Sequence, residues 1–382
     1  MTYFFMARPY IQKPNILLLR PYAGAKVPLT VGLAAEGNLH QYNFNERSRT
    51  EPASTRGLFL NSYSSTVSAD INNPHVVDVQ HHRDAISRII KEKKIDLVVP
   101  VEDKYANFLA DAPFADKAYG PSASVFRLLR DKGKTYKFMR KQGFAFTPKS
   151  VTTHSSRVAE VENFLGEHGS CFVKASTACG GKYAGLVTSV DMYRAAFSDI
   201  PPQDLVISEI LKFPEKIHTM LVDNGKAVVH VNYRSTSEAV VGASFHNVMT
   251  DDRELVAASD ALLQELAGVY GGKNINGVFT IDFMYNDHGT AVMNDINVGR
   301  FPHGLGIILE AGLPLVKQFV DLHLTGEHPV DLSYIVGHER KEDNSVPRSP
   351  LKSVVEVEPL RVPDTFRRGI PVRSLENRLQ SA

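Results

Sequence analysis

Two carboxylates and one carboxamide lie close together between residues 279 and 300, in a spacing that can hold a metal ion. Phe279–Tyr285 and Ala291–Ile296 are β-prone runs on either side of an Asn-Asp-His-Gly turn, so they predict a β-hairpin. Asp282 lies in the first run, Asp295 lies in the second, and Asn297 follows where the second run ends. Because Mg²⁺ is a hard cation that binds oxygen donors, these side chains predict a magnesium site on paired strands.

Arg300 follows this hairpin and adds a cation beside the acids. A guanidinium can donate paired hydrogen bonds to phosphoryl oxygens, so the arginine fits a phosphoryl-transfer site. The same pattern also fits a hairpin whose acids are buried and hydrogen-bonded for structural reasons alone. The rest of the chain decides between these two interpretations.

A glycine-rich segment upstream favours the functional interpretation. Cys171–Lys174 is a short apolar run that ends in lysine, and Gly180, Gly181 and Lys182 follow it. Glycines let backbone N–H groups approach a polyphosphate closely, and the lysines add positive charge. The spacing is neither that of a Walker A loop nor that of a dinucleotide-binding fingerprint. A structural hairpin loop is the alternative when this segment is taken alone.

The order of these motifs resembles that of the ATP-grasp superfamily, which includes biotin carboxylase, carbamoyl phosphate synthetase and the carboxylate–amine ligases. The resemblance runs from about Ile95 to Thr325. It implies that Lys132 is the first nucleotide lysine and that Lys174 is the second, reaching the α- and β-phosphates. Gly180, Gly181 and Lys182 would form the phosphate loop.

The same resemblance assigns the remaining nucleotide and metal contacts. The segment Leu205–Leu211 resembles the strand between the lobes, whose backbone meets the adenine edge at Ile210 and Leu211. Glu209 corresponds to the acid that holds the ribose hydroxyls. The resemblance further implies ATP and Mg²⁺ as cofactors, with two metal ions that Mn²⁺ can replace. The implied metal ligands are Asp282, Asp295 and Asn297.

Two departures from the family pattern occur at the metal hairpin. The family commonly has Glu where this chain has Asp282, and its second motif is E-x-N-x-R. This chain instead has Asp295-Ile296-Asn297-Val298-Gly299-Arg300, with one additional residue before the arginine. Neither change removes an oxygen ligand of the kind that Mg²⁺ requires.

The elements around these motifs predict an α/β and α+β protein. Apolar strand patterns at Asn15–Leu19, Val76–Val79 and Asp96–Val101 alternate with the helical spacing of Asp84–Lys94, which implies a parallel sheet. With the resemblance, this predicts an N-terminal Rossmann-like pre-ATP-grasp domain followed by a two-lobed ATP-grasp fold. The expected parts are the Rossmann-like domain over residues 1–121, the small lobe with the nucleotide lid over 122–198, the large lobe with the metal and substrate site over 199–325, and a C-terminal linker and packing segment over 326–382.

Composition limits the class of partner. The net charge of +1 gives no global field that favours nucleic acid or an anionic membrane, and no apolar run approaches the roughly 20 residues that span a bilayer. Cys171 and Cys179, the only two cysteines, form neither a disulfide framework nor a zinc pattern, which favours a reducing cytoplasm. We expect small-molecule partners, and the chain is compatible with a homodimer.

Three further polar residues have competing interpretations. Glu102 and Asp103 end the third predicted strand, where open α/β sheets place ligand contacts, but helix capping is the favoured explanation for these acids. Arg234, in the predicted strand VNYRST, either braces the transferred phosphate or an acidic substrate, or forms a structural salt bridge.

The implied chemistry is activation of a carboxylate by ATP. Transfer of the γ-phosphoryl group gives an acyl phosphate, which an amine attacks with departure of phosphate, and the protein positions the reactants and neutralises charge. Arg300 and Arg234 are the expected catalytic residues. We therefore expect an ADP-forming ligase that joins a small carboxylate and an amine. The alternatives are a bicarbonate-activating carboxylase or carbamoyl-forming ligase, and a catalytically silent ATP-binding regulatory protein.

Overall fold

The computed structural model describes residues 13–20, 27–44, 59–64, 79–177, 183–197, 200, 202–235 and 247–327. All of them belong to one compact unit, Met1–His338. The predicted phosphate-loop residues Gly180, Gly181 and Lys182 lie outside the described residues, as does nearly all of the predicted C-terminal segment.

The first sheet is parallel, and its four strands have the order β3-β2-β1-β4. Its central strand carries Ile16–Leu19, four fully buried apolar residues, as expected for a strand covered on both faces. The strand predicted at Val76–Val79 is wrong at Val79, where a helix begins. The elements are β1 (Asn15–Arg20), α1 (Val27–Glu36), β2 (Asn38–Asn43), β3 (Phe59–Ser64), α2 (Val79–Lys93), β4 (Leu97–Pro100) and α3 (Asp103–Ala110).

The second sheet is antiparallel and has the order β5-β8-β6-β7. It carries Lys174 near the end of its strand β6, and helices pack against it around Val161, Phe164 and Tyr193. The elements are α4 (Ala123–Arg130), α5 (Lys132–Lys141), β5 (Ser150–His154), α6 (Ala159–His168), β6 (Cys171–Ala175), β7 (Ala184–Val187), α7 (Val190–Phe197) and β8 (Asp204–Ser208).

The third sheet is a five-stranded antiparallel sheet with the order β11-β10-β9-β12-β13. Helix α8 covers one of its faces through a continuous apolar stripe that includes Leu255, Leu262 and Leu266. The elements are β9 (Lys212–Asp223), β10 (Lys226–Ser235), β11 (Asn247–Met249), α8 (Arg253–Tyr270), β12 (Gly277–Tyr285), β13 (Ala291–Val298), α9 (Leu305–Glu310) and α10 (Leu315–Thr325).

The predicted β-hairpin is confirmed as β12 and β13. Its turn is closed by Asn286, whose side-chain oxygen accepts hydrogen bonds from the backbone N–H groups of His288 and Thr290, both at 3.0 Å. The register pairs Asp282 directly with Asp295. Residues that are paired across antiparallel strands share a face of the sheet, so the two carboxylates lie side by side.

Across the described helices, none combines the length and the apolar character that crossing a bilayer requires.

Candidate active site

The acids of the hairpin lie on the sheet face opposite helix α8. Asp282 is paired with Ile217 of β9 as well as with Asp295, and alternation along β9 therefore puts the neighbouring His218 on the helix-covered face. Asn297 lies two positions beyond Asp295 on the same strand, and its Nδ2 donates a hydrogen bond to Asp282 Oδ2 at 3.3 Å. The three predicted metal ligands are thus brought together.

Both predicted nucleotide lysines point at this hairpin from the second sheet and its neighbouring helix. Lys132, the first residue of α5, places its Nζ 3.2 Å from Asp295 Oδ1. Lys174 is only 8 % exposed, and its Nζ donates to Tyr136 Oη at 3.0 Å, to Asn294 O at 3.0 Å and to Asn294 Oδ1 at 2.9 Å. Residues from three distant parts of the sequence therefore converge on one cluster of charges.

Arg300 connects the hairpin to the first sheet. Its Nε donates to the carboxylate of Asp103, the first residue of α3, and its Nη2 donates to Asn297 Oδ1 at 2.9 Å. Glu102 occupies the N-cap position of α3 but makes no capping hydrogen bond with its side chain. Helix capping, which we favoured for these two acids from the sequence, is therefore wrong for the side chain of Glu102. Asp103 lies in the first turn of α3, and its carboxylate pairs with the arginine beside the acids.

Charge and burial strongly perturb the acids. Burial, with the like charges of Glu215 and Asp295, raises the pKa of Asp282 well above its usual range. Burial acts on Asp295 in the same direction, but Lys132 and Lys174 outweigh it and lower the pKa of that carboxyl. Burial, followed by the neighbouring charge of Lys132, lowers the pKa of Lys174 to about 7. A cation placed between the two aspartates would reduce the repulsion that burial amplifies.

These donors suit a magnesium ion whose coordination is completed by water and phosphate, rather than a metal held by protein side chains alone. Within the described ranges, no three His, Cys, Asp or Glu side chains are arranged to hold one ion. Two carboxylates beside one carboxamide are instead what Mg²⁺ uses when waters and phosphate oxygens complete its coordination. Asp282, Asp295 and Asn297 would hold such an ion.

Several neighbours of the site were not identified from the sequence. Glu215 of β9 lies near the acids, because its charge raises the pKa of Asp282. Tyr136 lies four residues after Lys132, one turn along the same helix, which is a spacing that could have identified it. Asn294 immediately precedes Asp295, yet it binds Lys174 rather than the acids. No local pattern distinguishes Glu215 from an ordinary strand residue.

Other predicted residues lie apart from this cluster. Arg234 is exposed, and its neighbour Tyr233 is paired with Ile217, so alternation puts Arg234 on the sheet face away from the acids. Glu209 binds the backbone of Lys149, with its Oε1 accepting from Lys149 N at 2.8 Å. Ile210 and Leu211 follow β8 and are partly buried.

Comparison with models of protein families and with curated protein sequences found no match. Comparison with solved structures found many similar folds. The biotin carboxylase domain of Hydrogenobacter thermophilus 2-oxoglutarate carboxylase, solved with MgADP, ADP and bicarbonate, has a TM-score of 0.61 at 15 % identity, and the match covers 82 % of this chain and 70 % of that one.

Two further solved structures match this chain over similar fractions of its length. The N5-carboxyaminoimidazole synthetase of Staphylococcus aureus, complexed with ADP, gives a TM-score of 0.60 at 12 % identity over 84 % of this chain and 79 % of that one. The L-amino acid ligase of Bacillus licheniformis gives 0.58 at 13 % identity over 82 % and 75 %. All three are ATP-grasp enzymes. The resemblance inferred from the sequence is therefore confirmed at the level of the fold: this chain has the ATP-grasp fold.

Proposed function

We propose that this protein is an ATP-dependent carboxylate–amine ligase that forms an amide or peptide bond on a small metabolite and releases ADP and phosphate. One observation carries the proposal. Asp282, Asp295 and Asn297 lie on one face of a hairpin, directly opposite Lys132 and Lys174. Oxygen donors that lie beside lysines suit a metal–triphosphate, because the two sets of side chains neutralise different parts of the same charged group.

The residues of the chain have distinct roles in this proposal. Lys132 and Lys174 bind the phosphate chain, while Asp282, Asp295 and Asn297 hold magnesium. A magnesium ion held by these side chains would supply positive charge that offsets the charge of the phosphate chain. Arg300 would stabilise the charge on the transferred phosphoryl group, and Asp103 and Asn297 fix its orientation. Burial lowers the pKa of Arg300, but the neighbouring charge of Asp103 outweighs this effect and raises it. Arg300 therefore stays positively charged.

The reaction needs an activated carboxyl group. A carboxylate oxygen attacks the γ-phosphorus, ADP leaves, and the mixed anhydride that forms reacts with an amine nitrogen as phosphate departs. The protein's contribution is to hold the reactants in line and to stabilise the charge on the transferred phosphoryl group. Arg234 has no role in this proposal, since it lies on the other face of the sheet.

We extend the proposal to the organisation of the chain. Residues 1–121 would form the Rossmann-like domain, 122–198 the small lobe with the nucleotide lid and 199–325 the metal-bearing large lobe, with 326–382 as linker and packing segment. The loop with Gly180, Gly181 and Lys182 would cover the phosphates, and Glu209 to Leu211 would contact the nucleoside. A homodimer is included because the similar biotin carboxylase domain is a dimer.

A second candidate is activation of bicarbonate in place of an organic carboxylate. The similar biotin carboxylase domain was solved with bicarbonate, and another similar structure is a carboxyaminoimidazole synthetase. Both reactions would proceed through a phosphorylated carboxyl group and release ADP. They differ only in the acid that is activated.

Product analysis with isotopic labelling tests the proposal. The protein is incubated with MgATP and panels of ¹⁸O-labelled carboxylates, with and without amines, and nucleotides and phosphate are separated by chromatography and mass spectrometry. We expect ADP and ¹⁸O-containing phosphate only when a carboxylate and an amine are both present. Labelled bicarbonate that replaces the organic acid would support the second candidate.

Two outcomes would refute the acyl-phosphate route. Stoichiometric AMP and pyrophosphate would mean attack on the α-phosphorus, and ADP with unlabelled phosphate under all conditions would mean simple hydrolysis. Asp287→Asn is the matched control for substitutions of the hairpin acids and should retain turnover, because Asp287 is an exposed acid in the turn of the same hairpin.

A further inference from the structure

A buried polar cluster joins the start of helix α5 to the end of strand β6. The Ser176 hydroxyl donates a hydrogen bond to the carboxylate of Asp131 and accepts one from the backbone N–H of Gly133 at 3.1 Å. The backbone N–H of Lys132 donates to the Ser176 carbonyl at 2.9 Å. We call these contacts of Asp131, Lys132 and Gly133 with Ser176 the serine clasp.

The side chains of the serine clasp are buried and hydrogen-bonded. Ser176 is 2 % exposed and Asp131 is 8 % exposed. Asp131 also accepts from the backbone N–H of Lys134 at 3.1 Å, which caps helix α5. Burial raises the pKa of Asp131, but hydrogen bonds from Ser176 and Lys134 outweigh it and lower that pKa, so the acceptor is an ionised carboxylate. Hydrogen bonds to a charged acceptor are stronger than neutral ones.

The serine clasp requires the start of helix α5 to lie very close to the second sheet. A Cβ on Gly133 would lie 2.8 Å from Thr152 Oγ1 and 3.1 Å from Ser176 Oγ. A larger residue at this position would force the side chains of Thr152 and Ser176 to shift. The glycine therefore allows the first turn of α5 to contact the sheet directly.

The clasp fixes two lysines that come from different elements. Lys132 belongs to the first turn of α5, and Lys174 lies two residues before Ser176 on β6. Tyr136, one turn further along α5, also holds the Lys174 ammonium at 3.0 Å. The position of each lysine relative to the other therefore depends on where helix α5 begins against strand β6.

We propose that Ser176 and Asp131 are positioning residues that set the spacing of Lys132 and Lys174 for the phosphates of a nucleotide. The inference rests on the proposed function, since it requires that a nucleotide polyphosphate binds between these lysines. It adds two residues that touch no reacting atom and act only through the lysines. Their loss should weaken contacts with phosphate and leave contacts with the nucleoside unchanged.

The test compares binding of MgADP and of adenosine to the full chain. MgADP affinity is measured by isothermal titration calorimetry, and adenosine affinity is measured by ligand-observed NMR. Ser176→Ala removes both hydrogen bonds of the hydroxyl, and we expect it to weaken MgADP binding by about tenfold or more, the effect of losing one to two hydrogen bonds. Adenosine affinity should change by less than about twofold.

Ser259→Ala is the matched control. Ser259 is also a fully buried serine with two hydrogen-bond partners, His218 and Leu255, but it belongs to helix α8, which covers the sheet face away from the acids. It should lower thermal stability to a similar extent and leave both affinities unchanged. Asp131→Asn is the second variant, because it keeps the size and one acceptor oxygen and should show the same selective loss in milder form.

The outcomes separate this inference from the proposed function. Wild-type protein that binds MgADP, with Ser176→Ala and Asp131→Asn affinities within about twofold of it, would overturn the positioning role alone. An equal loss of adenosine and MgADP affinity would also overturn it, because the effect would then be general. Wild-type protein that binds no MgADP would overturn the proposed function and this inference together. A double variant no weaker than Ser176→Ala alone would support a single coupled unit.

Discussion

A buried histidine pair should make this fold sensitive to acid. His218 of β9 is fully buried, and its Nδ1 lies 2.6 Å from Ser259 Oγ. Because the Ser259 hydroxyl donates to the Leu255 carbonyl at 2.7 Å, it accepts from the imidazole N–H. His218 Nε2 lies 3.1 Å from His230 Nδ1, and Asp260 lies 3.8 Å beyond His230. Neutral imidazoles satisfy this chain of hydrogen bonds, whereas a protonated His218 would bring a second donor against its neighbour.

Burial, followed by the nearby His230, lowers the pKa of His218 from 6.5 to about 3. A base whose pKa is depressed on folding binds its proton mainly in the unfolded chain, so stability falls as the pH drops below 6.5. Each pH unit below that value costs about 1.4 kcal/mol, so His218 alone should remove about 2 kcal/mol between pH 7 and pH 5. Burial lowers the pKa of His230 as well, which adds to the loss.

His218→Asn tests this reasoning, because asparagine can still donate to Ser259 and does not titrate in this range. The free energy of unfolding is measured by urea titration with circular dichroism between about pH 7 and pH 5. The variant should start less stable and lose about 2 kcal/mol less than the wild type over that interval. His288→Asn, the same change at an exposed position in the hairpin turn, should follow the wild-type curve. Equal losses in His218→Asn and wild type would refute the assignment of acid sensitivity to the buried pair.

Two other substitutions have expected outcomes. Asp295→Asn removes a ligand charge without changing size, so ADP release in the ligase assay should fall by about two orders of magnitude with an unchanged circular dichroism spectrum, whereas Asp287→Asn should retain activity. Full activity of Asp295→Asn would show that the hairpin acids are structural. Gly277→Ala should lower the free energy of unfolding by about 2 kcal/mol or more, because Gly277 has φ +96° and a Cβ would lie 2.5 Å from Tyr119 O. Gly268→Ala, on an open part of helix α8, should instead raise it by about 0.5–1 kcal/mol in the same urea titration, and similar changes in both would contradict the steric argument.

The hairpin was predictable from the sequence because its two strands and the turn between them are adjacent in the chain. The turn residues fix where two β-prone runs reverse, and a register shift that skips Asn294 then brings Asp282 opposite Asp295. The meeting of Lys132 with Asp295 was reachable only through the resemblance, since no spacing links positions so far apart. Burial of the apolar run Ile16–Leu19 was similarly evident from its composition.

Other features depended on register and on distant contacts, which a single sequence does not specify. β2 and β3 have the sequences NLHQYN and FLNSYS, whose many polar residues give no apolar run. The side of the sheet on which Arg234 lies follows from the pairing of β10 with β9, because a shift of one residue would reverse it. Glu215 lies where the pairing of β9 with β12 becomes irregular, which no local pattern specifies. Asp103 required knowledge of a partner 197 positions away.

The ion pair between Asp103 and Arg300 limits how this chain could be recombined with its structural relatives. Arg300 is 9 % exposed at its side chain, and Asp103 is contributed by a segment that follows the first sheet. A chimera that replaced residues 1–121 with a segment lacking this acid would remove the carboxylate that pairs directly with a buried guanidinium, at a cost of about 3–5 kcal/mol. The first sheet is therefore not an exchangeable module, and any graft that preserves folding must carry a carboxylate at the start of helix α3.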